Sequence, residues 1–215
     1  MVAASSRGRR IVLWRHGRTP WNREQRFQGT TDIGLDAEGE AQARHAARVL
    51  AGFAPDAVIT SDLRRAAATA RRLITLTGQT AVPDRGLREA YTGRWQGLTH
   101  DEIVARYGEE FEAWRRGEPV RRGGGELDTE VAERATAVVA RHAERLPDRG
   151  TLVVVSHGGT IRAIAGRVLG MDPADWMSLA GLSNCCWHVL SEEGSGWRLS
   201  VRNAGAPQEA EFGEG

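Results

Sequence analysis

The sequence predicts an α/β layer fold with a mostly parallel central sheet, and three observations carry that prediction. Short apolar runs alternate with alanine-rich segments of helical period along the whole chain. The run Thr151–Val155 is continuous and largely β-branched, the pattern of a strand covered on both faces. The order strand, histidine with glycine, then helix occurs twice, at Arg15-His16-Gly17 and at His157-Gly158-Gly159.

Taken in order, Arg10–Trp14 reads as a buried strand feeding a polar turn. Asp36–Leu50 reads as a helix, with Asp36 at its N-cap and Gly52 just past its end. Ala57–Thr60 is the next strand, Ser61–Leu76 an amphipathic helix stopped by Gly78, and Thr80–Pro83 a third strand. Leu87–Thr99 is polar, aromatic and glycine-bearing, an irregular loop of the kind that carries function. Thr99–Trp114 is helical, and Arg115–Glu126 reads as a flexible basic loop whose three glycines act as a linker. A helix over Asp128–Leu146 follows, capped by Asp128 and stopped by Pro147. After the strand Thr151–Val155 come helices over Thr160–Leu169 and Asp172–Leu179, then a hairpin of Asn184–Leu190 with Trp197–Arg202. Residues 1–205 are expected to form a single domain and 206–215 a disordered acidic tail.

Composition narrows the chemistry. The chain has 215 residues, 40% of them apolar, enough for a sizeable core. Its mean hydropathy is −0.42, and no apolar run approaches the ~20 residues that span a bilayer. The N-terminal MVAASSRGRR is followed by too short an apolar stretch for a secretory signal, so a cytoplasmic protein is expected. All 29 basic residues are arginine. Without a lysine amine, Schiff-base chemistry and a P-loop nucleotide site are both excluded. A net charge of +1 argues against non-specific nucleic-acid binding. Cys185 and Cys186 are adjacent, which offers neither a disulfide framework nor a metal-ligand pair, and no His/Asp/Glu set has metal spacing. No cofactor is expected, and the sequence leaves a homodimer open.

In an open α/β sheet, ligands bind in the crevice at the carboxyl ends of the strands, so His16 and His157 are placed to meet there. The guanidinium of Arg15 presents a planar fork that matches phosphate oxygens, and a neutral imidazole is a competent nucleophile toward phosphorus. The pair points to phosphate chemistry on a small phosphorylated substrate. His45, His100 and His142 read as surface residues, Trp14, Trp176 and Trp187 as core, and Trp21 and Trp95 as candidates to line the pocket mouth.

These residues stand in an ordered set of motifs. Arg15-His16-Gly17 leads to Asn22, to Arg26-Phe27-Gln28-Gly29 and to Asp32. Ser61-Asp62-Leu63-Arg64-Arg65-Ala66 comes next, then Leu87-Arg88-Glu89 with Trp95-Gln96-Gly97, Gly124-Gly125-Glu126 and Val155-Ser156-His157-Gly158-Gly159. The set resembles the histidine phosphatase superfamily, also called phosphoglycerate mutase-like, over roughly residues 10–203. The resemblance implies a three-layer α/β/α fold and a metal-independent phosphomonoesterase working through phosphohistidine. It implies that His16 is the nucleophile and that Arg15, Arg65 and His157 form the charged pocket for the phosphoryl oxygens. It makes Glu89 the general acid and then the base, with Asn22, Gln28, Gly29 and Gly158 as further phosphate contacts. To donate a proton near neutral pH, Glu89 must titrate above the ~4.3 of a free glutamate, through burial or a dianionic substrate.

Within the superfamily, the Trp-Gln-Gly form after Glu89 resembles phosphatases. Leu98-Thr99-His100, the Gly-Gly-Glu turn, Asn184, Trp187 and Trp197-Arg198-Leu199 resemble actinobacterial glucosyl-3-phosphoglycerate phosphatases. Gly123 departs from that pattern where a histidine is expected, and Leu127 where a serine is usual. Trp114-Arg115-Arg116 resembles instead the mutase segment whose paired arginines grip substrate, so Arg115 and Arg116 are further substrate-binding candidates. A phosphoglycerate mutase dependent on 2,3-bisphosphoglycerate is the alternative, and a non-catalytic phospho-ligand binding module the third reading. Arg23, Arg26, Arg94, Arg121 and Arg122 are candidates for attracting an anionic metabolite.

Overall fold

The protein's computed structural model describes residues 8–179 and 181–205. The apolar runs are the strands β1 (Arg10–Arg15), β2 (Ala57–Thr60), β3 (Ala81–Pro83), β4 (Thr151–Ser156), β5 (Trp187–Glu193) and β6 (Gly196–Ala204). They form one sheet in the order β3-β2-β4-β1-β5-β6. The pairs β1–β4, β2–β4 and β2–β3 are parallel, whereas β5 runs antiparallel to both β1 and β6. Every residue of β4 is buried, as its unbroken apolar run predicts for a central strand.

The helices are α1 (Pro20–Arg23), α2 (Ala37–Ala51), α3 (Arg64–Thr77), α4 (His100–Arg115), α5 (Asp128–Ala143) and α6 (Gly158–Val168). Alternate residues of a strand face opposite sides, and two cores follow from this. Val12, Trp14, Val58, Val153 and Val155 pack with Ala43, Ala47, Leu50, Ala66 and Leu73 of α2 and α3. Ile11, Leu13, Ile59, Leu152 and Val154 pack with Val138, Val139, Ile161 and Ile164 of α5 and α6. The result is the three-layer α/β/α arrangement. No helix among the described residues is long and apolar enough to cross a membrane.

Several local expectations change. The four-residue α1 has no apolar face to betray it in the sequence; it is set by Pro20 at its first turn and by a reciprocal Thr19–Asn22 cap. Asp172–Leu179 is a 3-10 turn over Pro173–Ser178. Asp128 is the first residue of α5 and not its cap, because the carboxylate of Glu130 reaches back 3.0 Å to the Leu127 N–H and frees Asp128 for Arg122. The expected tail, 206–215, lies outside the described residues.

The segment expected to be a flexible linker is docked. Arg122 is 3% exposed, and the backbone of Gly123 lies directly on that of Thr92 to Trp95 in the loop after Glu89. A Cβ on Gly123 would come within 2.5 Å of the Thr92 carbonyl oxygen, 2.6 Å of the Arg94 nitrogen and 2.7 Å of the Trp95 nitrogen. These neighbours are all backbone, so the histidine expected at this position from the resemblance has no room in this conformation. Trp95 is 0% exposed and packs with Ile103, Phe111 and Trp114 in a satellite aromatic core, so it supports the pocket from below and does not line its mouth.

Gly123 and Gly124 both have left-handed φ, +58° and +82°, yet a Cβ on Gly124 meets nothing within 4 Å. Gly123→Ala is therefore expected to lower unfolding free energy by about 1–3 kcal/mol in urea titrations, and Gly124→Ala by clearly less.

Candidate active site

Parallel register aligns Arg15 of β1 with Ser156 of β4, so His16 and His157 are the first residues beyond the ends of adjacent strands. Their ring centroids are 5.1 Å apart. The chain leaves β1 toward the α2–α3 layer and β4 toward the α5–α6 layer, and the crevice between these diverging paths is the ligand position of open α/β sheets.

The protonation state of His16 follows from its surroundings. The ring is 3% exposed, and its Nδ1 lies 2.7 Å from the Gly17 carbonyl oxygen. A carbonyl only accepts, so Nδ1 carries the proton and Nε2 keeps a lone pair. Burial first, then the charges of Arg65 and Arg15, hold its pKa well below 6.5. His16 is thus a neutral imidazole with a free nucleophilic nitrogen. Its carbonyl oxygen is fixed by the Cys185 N–H at 3.2 Å and the Asn184 amide at 3.0 Å.

Arg65 enters from α3 and is fully buried. Its Nε donates to His157 Nδ1 at 3.1 Å, and its two Nη atoms donate to the Thr31 and Gly29 carbonyls, each at 2.8 Å. Three of the five guanidinium N–H groups are thereby engaged, leaving two. Since Nδ1 of His157 accepts, the neutral ring carries its proton on Nε2, which donates to Ser61 Oγ at 2.9 Å. Burial, Arg65, His16 and Arg15 lower the pKa of His157 well below 6.5, so the positive charge of the pocket resides on the two arginines. Arg15 donates to the Leu182 carbonyl at 2.5 Å, while its Nε is buried without a partner among the described residues. Buried donors of this kind fit phosphate oxygens, and guanidinium charge stabilises a transferring phosphoryl group.

Glu89 is held at the N-terminus of α6. One carboxylate oxygen accepts from the Ala90 N–H at 2.9 Å, the Thr160 N–H at 3.0 Å and the Thr160 hydroxyl at 3.0 Å; the other accepts from the Gly159 N–H at 3.1 Å. Only glycine at 159 permits this approach, as a Cβ there would lie 2.9 Å from the carboxylate. Burial pushes the carboxyl up, but the Ala90 N–H, Arg122, the Gly159 N–H and Arg65 together bring it below the usual range. Burial, one of the two causes the sequence offered for a raised pKa, is present and is outweighed, so the expected rise is not found in the free protein. Glu89 rests as a carboxylate.

One guanidinium clamps the loop that carries Glu89. Arg134 donates to the carbonyls of Gly86, Arg88 and Glu89 at 2.8, 2.9 and 3.2 Å, and to both oxygens of Glu126 at 2.8 and 3.0 Å. Glu126 in turn accepts from the Tyr91 N–H at 2.8 Å, which ties the Gly-Gly-Glu turn to the same loop.

The structure thus brings together Arg15, His16, Arg65, Glu89 and His157, with Gly29 on Arg65 and Gly158 against Arg15. Asn22 joins through Asn184, whose amide donates to its Oδ1 at 3.3 Å; Thr19 uses the same oxygen, which leaves the Asn22 amide N–H groups for a ligand. Gln28 is buried with an unpartnered Oε1. Arg115 and Arg116 are exposed at the end of α4, where Arg116 pairs with Glu118 at 2.8 Å. Thr160, Ser61 and Arg134 hold positions in the site that residue-by-residue reading did not assign. Thr160 was within reach of it, because Gly159 opens the helix that carries it.

The model of the histidine phosphatase superfamily (branch 1) matches residues 11–205. The chain is 39% identical to glucosyl-3-phosphoglycerate phosphatase of Mycobacterium tuberculosis, over 93% of this chain and 96% of that protein. It is 38% identical to 2,3-bisphosphoglycerate-dependent phosphoglycerate mutase 2 of Gloeobacter violaceus, over 76% and 77% respectively. The solved structure of the mycobacterial glucosyl-3-phosphoglycerate phosphatase with VO3 superposes with a TM-score of 0.86 at 40% identity, covering 91% of this chain and 99% of that one.

The donors around Glu89 make it structural as well as chemical. Glu89→Gln places an amide NH2 against at least one N–H donor and is expected to cost about 1–3 kcal/mol of stability in denaturant titrations.

Proposed function

The chain belongs to the histidine phosphatase superfamily, and on that premise we propose that it is a metal-independent phosphomonoesterase for small phosphorylated hydroxy acids of the phosphoglycerate type. The neutral His16, with Nε2 free beside two buried guanidinium groups, is the observation that carries this function.

In the first step Nε2 attacks phosphorus, the ester P–O bond breaks, and the leaving oxygen takes a proton from the Glu89 carboxyl. In the second, the Glu89 carboxylate takes a proton from water, the water oxygen attacks phosphorus, and the N–P bond breaks to restore neutral His16. The equatorial oxygens meet Arg15 Nε and the two remaining N–H groups of Arg65, which supplies charge stabilisation where the loose transition state needs it. Because Glu89 rests ionised, the proton for the first step arrives with a monoanionic ester or from solvent once the dianion has bound.

The substrate class is supported by the identity to the mycobacterial phosphatase, and the Gloeobacter relative and the Trp114-Arg115-Arg116 segment favour mutase activity as the alternative. Cys185 and Cys186, both buried free thiols, suit the reducing cytoplasm in which we place the protein.

Wild-type protein is expected to release phosphate from glucosyl-3-phosphoglycerate and 3-phosphoglycerate in the presence of EDTA, and His16→Ala to release none. Bisphosphate-dependent interconversion of 3- and 2-phosphoglycerate without free phosphate would establish the mutase instead. Binding of the esters with no turnover would establish the binding module.

The pH dependence has a definite sign. The acid limb of kcat/KM, set by His16, is expected below pH 6.5, because its depressed pKa keeps it unprotonated down to lower pH. The alkaline limb begins near the second ionisation of the ester, about pH 6, where neither substrate nor Glu89 still holds the proton. A pH–rate profile peaking on the acid side of neutrality is the expected outcome.

A further inference from the structure

Two arginines outside the phosphate-binding set converge on one indole. Trp114, buried in the satellite core, has the Arg122 guanidinium carbon 5.1 Å and that of Arg162 5.8 Å from its ring centroid. Arg122 is 3% exposed; it donates to Asp128 at 2.5 Å, and its Nε is buried without a partner among the described residues. The Trp114 indole N–H points to the same carboxylate at 3.4 Å. Arg162 makes no hydrogen bond or ion pair among the described residues. Asp128 is the carboxylate hydrogen-bonded into this pair, and it leaves the Arg162 guanidinium without a hydrogen-bonding partner among the described residues.

Both guanidinium groups adjoin Glu89, whose carboxylate interacts with Arg122 and with Arg162. Arg162 stands two and three residues after Thr160 and Gly159 on α6, the residues that hold the Glu89 carboxylate. Its field reaches both sides of the pocket, lowering the pKa of Arg15, which burial lowers first. Glu89 must touch the ester oxygen to protonate it, so the carbon skeleton of the leaving group begins at the carboxylate on which Arg122 and Arg162 act. A buried, unpartnered N–H beside an unpaired guanidinium favours an anion, and a carboxylate matches the planar fork of arginine.

Building on the phosphatase function above, we propose that Arg162, backed by Arg122 and Trp114, is a second anion subsite that takes the carboxylate of the leaving group. The subsite selects phosphorylated hydroxy acids over esters of uncharged alcohols.

The test compares 3-phosphoglycerate with glycerol 3-phosphate, which differ by one carboxylate in place of a hydroxymethyl group, in wild type, R162Q and R162K. Wild type is expected to prefer 3-phosphoglycerate. R162Q is expected to lower kcat/KM for it at least about tenfold more than for glycerol 3-phosphate, mainly through KM, with part of the preference restored in R162K. An equal loss on both esters would mean that Arg162 acts on Glu89 or on the fold, and would overturn the proposal. So would a preference that R162Q leaves intact, or a wild type that hydrolyses p-nitrophenyl phosphate yet does not prefer 3-phosphoglycerate. A wild type that hydrolyses none of the three overturns the phosphatase function itself, and the subsite with it.

Discussion

The pocket depends on a guanidinium with no access to water. Arg65 is 0% exposed, and taking such a charge out of solvent costs several kcal/mol unless fixed dipoles replace the lost hydration. Burial draws its pKa down to about 10, still high enough that the group stays charged at any pH at which the protein works. The replacement dipoles are the carbonyls of Gly29 and Thr31 and the ring nitrogen of His157. Through these bonds one charge orders the loop after His16, selects the tautomer of His157 and helps keep His16 neutral.

Glu89 shows how the proposed acid–base group is made part of the framework. Its four donors would satisfy any carboxylate at a helix N-terminus, the place where backbone N–H groups and the helix dipole favour negative charge. The same donors oppose its protonation. In the proposed mechanism, proton supply is thereby coupled to the arrival of a phosphate dianion, whose charge offsets that of Arg15 and Arg65. The Arg134–Glu126 clamp holds the carboxylate in this position from behind, on the carbonyls of residues 86, 88 and 89.

Much of this was legible in the sequence. The alternation of apolar runs and alanine-rich segments located all six strands and the long helices to within a few residues, because burial on one or both faces sets those patterns. Arg15-His16, Arg65, Glu89 and His157-Gly158-Gly159 were legible as motifs, and the sheet register explains why residues 141 apart in sequence meet. What escaped were contacts between segments that have no periodic signature. Gly123 looks like linker composition until the backbone of Thr92 to Trp95 is seen against it. Trp95, in a motif loop, belongs to a core whose other members are distant in sequence. Arg134 and Arg162 are ordinary helix arginines by composition and acquire their meaning from three-dimensional neighbours.

The central claim is that His16 is neutral, protonated on Nδ1 and unprotonated on Nε2, whereas His157 has the opposite tautomer. Nitrogen-15 NMR of the histidine rings distinguishes the two nitrogens of each residue directly. At pH 6.5 the account predicts an unprotonated Nε2 in His16, an unprotonated Nδ1 in His157, and no titration of either ring near the ordinary imidazole value. A His16 ring that titrates near 6.5, or that carries its proton on Nε2, would contradict it.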